Sequence, residues 1–89
     1  MTSIDPDRVP EATFTNFLDG LRVQTLVQLG EIPDPSTGVR HARAPLARYS
    51  VQLLHVLQTK TEGQREPDED RLLQAMIDEL EALLARHQR

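Results

Sequence analysis

Apolar residues recur at helical spacing in three separate runs of this chain, and nowhere do they alternate with polar ones over the length of a strand. In the first run Phe14, Phe17, Leu18 and Leu21 fall on one stripe, which predicts a helix over about 13–29 with that stripe facing a core. Beyond Leu21 the pattern widens. Val23, Leu26 and Val27 fall roughly opposite the stripe, while Leu29 stays on it. In the second run Leu46, Tyr49, Leu53, Leu54, Val56 and Leu57 form one broad apolar face, opposed by Arg48, Gln52, His55 and Thr59. A second amphipathic helix over about 45–61 follows. The third run comprises Leu72, Leu73, Met76, Ile77, Leu80, Leu83 and Leu84 and predicts a helix over about 67–86. Leu73, Ile77, Leu80 and Leu84 keep heptad spacing for only about two heptads, which favours a bundle helix over a coiled coil.

The boundaries carry their own signals. Thr13 can cap the first helix by accepting a hydrogen bond from a free N–H of the first turn, although Asn16 is a poor substitute for the Glu or Gln of a full capping box. Gly30 is the natural stop, since glycine takes the left-handed conformation without a Cβ clash, and Ile32 is then placed to fold back toward Leu26 or Val27. Pro33 and Pro35 hold their neighbours extended, and Asp34-Pro35-Ser36-Thr37-Gly38 reads as an Asp-initiated turn. The connection over 30–44 is therefore stiff, and at about 15 residues it is long for a compact domain. Pro45 suits the first turn of the second helix, Lys60 and Gly63 its end. Pro67 opens the third, with Asp68, Glu69 and Asp70 at the positive end of its dipole. The expected architecture is all-α: a mobile tail over 1–12, then a single small three-helix domain over 13–89 with a long Pro-rich loop between its first two helices.

Size and composition add one constraint. A core built by 89 residues is thin, and scaffolds of about this size lean on metals, disulfides or oligomerisation. There is no cysteine, which removes disulfides and thiolate sites. Association remains, and the doubled apolar face of the first helix supports it. Gly20 beside Val23, Leu26 and Val27 would let another helix approach closely, so these four residues are the expected oligomer interface. A net charge of −4 and 3% aromatic residues argue against a nucleic-acid binder. No apolar run reaches the length of about 18 residues needed to span a bilayer. The first eight residues lack an apolar signal core, so a cytoplasmic setting is expected.

Charge is unevenly placed. From Pro35 to Thr61 the chain carries Arg40, Arg43, Arg48 and Lys60 with no acidic residue, whereas Glu62 to Glu81 holds eight acids against Arg65 and Arg71. The basic middle can bind an anion such as a phosphate or an RNA backbone, or it can pair with the acidic helix in the same or a neighbouring molecule. Pairing is the commoner arrangement. Glu31 and Asp34 are the only acids of the stiff loop, and with Arg40, Arg43 and Arg48 they form the candidate partner- or anion-binding region. His41, His55 and His87 fall in three different segments without a second ligand at helical spacing, and neither Ser36 nor Ser50 sits in a nucleophile elbow. No metal, cofactor or catalytic residue is expected.

Phe14, Phe17-Leu18, Leu21 and Gln24, then Leu29-Gly30-Glu31-Ile32-Pro33-Asp34-Pro35 and Thr37-Gly38, resemble a bacterial family of short proteins, domain of unknown function 1844. The likeness continues through Leu46-Ala47, Leu53-Leu54, Leu57-Gln58, Lys60-Thr61 and Gly63. Gln52 and His55 stand where that family usually carries acidic residues, and Gln64-Arg65-Glu66-Pro67 replaces its usual Asn-Leu-Thr. The resemblance implies a helical fold and no assigned activity. Taken together, the expectation is a non-enzymatic helical protein that self-associates and presents its Pro-rich loop and basic connection to a protein partner. The alternative is an anion- or nucleic-acid-binding accessory protein using the segment Arg40 to Arg48.

Overall fold

A computed structural model of the chain describes residues 9–87. Of the tail expected over 1–12, residues 1–8 lie outside the described residues, as do 88 and 89 of the C-terminal end. Three helices, α1 (Phe14–Gln28), α2 (Ala44–Lys60) and α3 (Pro67–His87), run up, down and up. Each packs on the other two. There is no strand among the described residues.

The helix ends follow from local chemistry. Thr13 Oγ1 accepts from the Asn16 N–H at 3.1 Å, and the Asn16 side chain in turn donates to the Glu11 carbonyl at 2.9 Å, which fastens the residues just before α1. At its C-terminus the Gly30 N–H donates to the Val27 carbonyl and the Glu31 N–H to the Leu26 carbonyl, with Gly30 at φ +74°. This paired arrangement satisfies carbonyls that α1 would otherwise leave open. Pro45 lies in the first turn of α2. At the start of α3 the Glu66 N–H donates to Glu69 Oε1 at 2.7 Å, one half of a capping box completed without a Ser or Thr.

Between α2 and α3 the Arg65 guanidinium works as a clasp. Nη1 donates to the Gln58 carbonyl at 2.6 Å and to Thr61 Oγ1 at 2.8 Å, while Nε donates to Asp70 Oδ1 at 2.9 Å. A cation on the last carbonyls of α2 also opposes the negative end of its dipole. Arg22 reaches from α1 to α3, where Nε and Nη2 donate to the two Glu79 oxygens at 2.7 and 2.9 Å.

The core holds Leu18, Leu26 and Leu29 from α1 and its cap, Ala47, Val51 and Leu54 from α2, and Leu73, Met76, Ile77, Leu80 and Leu84 from α3. Ile32 packs against it, as its position after Gly30 requires. Two expectations need correction. Phe17 was expected on the inward stripe of α1 but is 53% exposed, because it lies at the edge of the arc that α1 buries against α2 and α3. Leu26, expected on an outward second face, is core. A helix wedged between two others buries a wide arc, and Leu26 falls within it.

The larger correction concerns α2. Its broad apolar face divides into two stripes, of which the core takes the one carrying Ala47, Val51 and Leu54. Leu46, Tyr49, Leu53 and Val56 remain outside. At about 100° per residue the centres of the two stripes lie roughly 150° apart, so one layer of neighbours cannot cover both. The stripe with the smaller side chains goes inward because it lets the backbones of α1 and α3 come close.

Candidate interaction surfaces

Leu46, Tyr49, Leu53 and Val56 follow one another at steps of three, four and three, a heptad-like seam along the outer side of α2. With Phe17 they are each between 41 and 56% exposed. Leu21, one turn after Phe17, lines a shallow groove of about 110 Å³ together with Gln24, Leu46, Tyr49 and Leu53. The floor of that groove is polar but closed: Ser50 Oγ donates to Gln28 Oε1 at 2.6 Å, and Thr25 Oγ1 donates to the Leu21 carbonyl at 2.8 Å. The α1–α2 layer therefore presents a continuous apolar strip edged by Gln24 and Gln52.

A second feature lies at the connection. The chain over 39–43 is fastened at both ends, by donation from the Asp34 N–H to the Val39 carbonyl at 3.0 Å and from the Arg43 N–H to the Gln28 carbonyl at 2.6 Å. Between it and α1 opens a cleft of about 340 Å³ lined by Val27, Gln28, Asp34, Thr37, Val39, His41 and Arg43. Gly30 makes this approach possible: a Cβ there would meet the Ala42 backbone nitrogen at 3.1 Å. Asp34 is the hinge of the turn, its Oδ1 accepting from the Ser36 hydroxyl at 2.6 Å and from the Ser36 N–H at 2.8 Å, and these donors hold its carboxyl below the usual range.

The residues singled out from the sequence fall in different places. Asp34 and Arg43 share the cleft. Glu31 turns to the end of α3 instead, where Oε2 meets His87 Nε2 at 2.8 Å, and that hydrogen bond lowers the Glu31 pKa. Arg40 is exposed, and Arg48 lies on α2 outside the lining of the cleft. Of the four residues expected at an oligomer interface, Gly20 and Val23 are open to solvent, Val27 is half-buried at the cleft and Leu26 is in the core. Between α2 and α3, His55 Nε2 and Glu81 Oε2 lie within hydrogen-bond distance at 3.0 Å. Among the described residues no group of three His, Asp or Glu side chains is placed to hold a metal ion.

The outer stripe of α2 was missed as a separate surface, although its step pattern and the small residues Ala47 and Val51 beside it were there to read. So was the alternation of Val39, His41 and Arg43 toward one side of an extended segment.

The profile of the family described as Domain of unknown function (DUF1844) matches residues 11–86. The chain belongs to this family. No curated protein and no solved structure matches it. The matched segment begins at Glu11, whose carbonyl fastens the start of α1, and it contains both the outer strip and the cleft of this DUF1844 chain. No helix among the described residues is long and apolar enough to cross a membrane.

Proposed function

We propose that this protein is a non-enzymatic interaction module that self-associates through the outer face of α1 and α2 and presents its Pro-rich connection to a protein partner. The observation that carries the reading is the exposed strip of Phe17, Leu46, Tyr49, Leu53 and Val56. Half-exposed side chains of these sizes leave about 500 Å² of apolar surface in one strip, at the upper end for a monomer. Two such strips face to face remove about 1,000 Å², near the lower bound for a specific interface.

The strip also suits pairing with its own copy. A two-fold contact sets each surface against itself, so like charges within it would oppose one another. None of these five residues is charged, and the polar edge at Gln24 and Gln52 is neutral. The heptad-like seam allows two α2 helices to interlock.

Sedimentation velocity on wild type, on a Leu53→Lys/Val56→Lys double variant and on Val23→Lys tests the proposal. Wild type is expected above protomer mass, the double variant at protomer mass, and Val23→Lys unchanged from wild type. A wild-type protein at protomer mass at about 100 μM, where contacts worth more than about 5 kcal/mol would be populated, overturns the reading. Loss of assembly in Val23→Lys alone would return the interface to the far side of α1.

A further inference from the structure

The cleft beside residues 39–43 carries one charge of each sign on its walls. Asp34 and Arg43 both line it, yet they form no ion pair with each other among the described residues. They stand at opposite ends of the segment, where the Asp34 N–H is bonded to the Val39 carbonyl and the Arg43 N–H to the Gln28 carbonyl. Donation from Ser36 and, to a smaller extent, the field of Arg43 keep the Asp34 carboxyl below its usual range, and therefore ionised. The Ser36 donors occupy Oδ1, whereas Oδ2 and the Arg43 guanidinium hydrogen-bond to nothing among the described residues.

Gln28 places a second donor at the Arg43 end. The residue is only 7% exposed. Its carboxamide oxygen is turned to the Ser50 hydroxyl, which lines the groove against α2 and not the cleft. The amide nitrogen is left on the cleft side, donating to no group among the described residues. A buried donor without a partner is costly, and no fully buried side-chain polar atom among the described residues lacks one. This nitrogen therefore meets water through the opening, where a ligand oxygen can take the water's place. Between the two poles Val27 and Val39 supply an apolar wall. The volume of about 340 Å³ is that of a small-molecule site, and the anchored loop needs little further ordering.

We infer that this cleft binds a small zwitterion with a branched apolar side chain, a free amino acid such as leucine or a dipeptide ending in it. The ligand carboxylate meets Arg43 and the Gln28 amide, its ammonium meets Asp34, and its side chain rests on Val27 and Val39. Arginine's planar fork suits a carboxylate. A ligand carrying only negative charge is opposed by Asp34, and one carrying only positive charge by Arg43. No aromatic ring lines the cleft for a base to stack on. The inference goes beyond the assembly reading and does not rest on it.

The probes are leucine and glycyl-leucine, with leucinamide and N-acetylleucine as comparators that keep the side chain and lose one charge each. Binding is followed by amide chemical shifts in NMR titrations. At least one zwitterion is expected to bind with a Kd of about 1 mM or below. Shifts are expected at Val39, Arg43 and the Gln28 side-chain amide, and none at Tyr49 or Leu53 on the outer strip. Each comparator should bind about tenfold more weakly, since it leaves one charged group of the cleft without its partner. Arg43→Gln should erase the preference for leucine over leucinamide, and Asp34→Asn the preference over N-acetylleucine, each leaving the other preference in place. Asparagine keeps the turn, because its side-chain oxygen still accepts from Ser36. The Leu53→Lys/Val56→Lys variant should bind as wild type does, which separates this site from the assembly surface. No saturable shift with either zwitterion up to about ten times that concentration overturns the inference. So do equal binding of the comparators, preferences that survive both variants, and shifts confined to the outer strip.

Discussion

The two sides of α2 differ in a way that hydrophobicity does not capture. The inner side offers Ala47, Val51 and Leu54, and the outer side Leu46, Tyr49, Leu53 and Val56. The bulkier set is the exposed one. Burial in a three-helix bundle is set by how closely the axes can approach, and small residues at the crossing allow interhelical distances of about 8 Å, where large ones hold helices nearer 10 Å. The larger side chains are then left for a surface that meets something else. The same contrast separates α3, whose single apolar stripe is spent in the core, from the α1–α2 layer, which has apolar surface to spare.

The sharpest way to break this comparison uses neighbours in sequence. Leu54→Ala should cost about 2–4 kcal/mol in urea unfolding, since it leaves a cavity among packed side chains. Leu53→Ala, one residue earlier and on the outer side, should cost less than about 1 kcal/mol at low protein concentration and more as concentration rises, because binding to a second copy stabilises only the folded form. Equal costs at every concentration would mean the two sides are not distinct.

Gly30→Ala comes next at about 2 kcal/mol, from its positive φ and the contact with the Ala42 backbone. Because that contact sets where α2 begins, the substitution should also disturb the cleft, seen as amide shifts at Val39 and His41. A stability change without those shifts would place the effect in α1 alone.

Smallest is a pH effect on the α1–α3 clasp, remote from the outer strip. Donation from Arg22 lowers the Glu79 pKa in the folded chain. The pair therefore adds stability that is present above the ordinary carboxylate pKa and is lost as pH falls through the depressed folded value. Both side chains are more than a third exposed, so solvent screening limits the contribution to about 0.5–1 kcal/mol. Glu31, lowered by His87, adds a slope of the same sign. In Glu79→Gln the acid side of the stability profile should flatten, with assembly mass unaltered; an unchanged slope would remove the clasp from the account.

What the sequence revealed depended on range. Thr13, Gly30, Pro45 and Pro67 act within a few residues, so the helix boundaries and the Asp34 turn were readable before any packing was known. Leu26 and Phe17 were placed on the wrong sides, since each lies at the margin of a stripe and only the neighbours' positions decide which margin is covered. Arg43 and Asp34 were readable as members of one candidate binding region, but the cleft needed Val27 and Gln28 from α1, and Glu31 went to His87, 56 positions away in the chain.

The sequence alone determined three amphipathic helices, their caps and a stiff connection, because those follow from torsional preferences and hydrogen bonds between near neighbours. Only the tertiary structure decided which of the two apolar stripes of α2 faces inward. Both are hydrophobic enough for a core, and the choice turns on interhelical distances that exist only once α1 and α3 are in place.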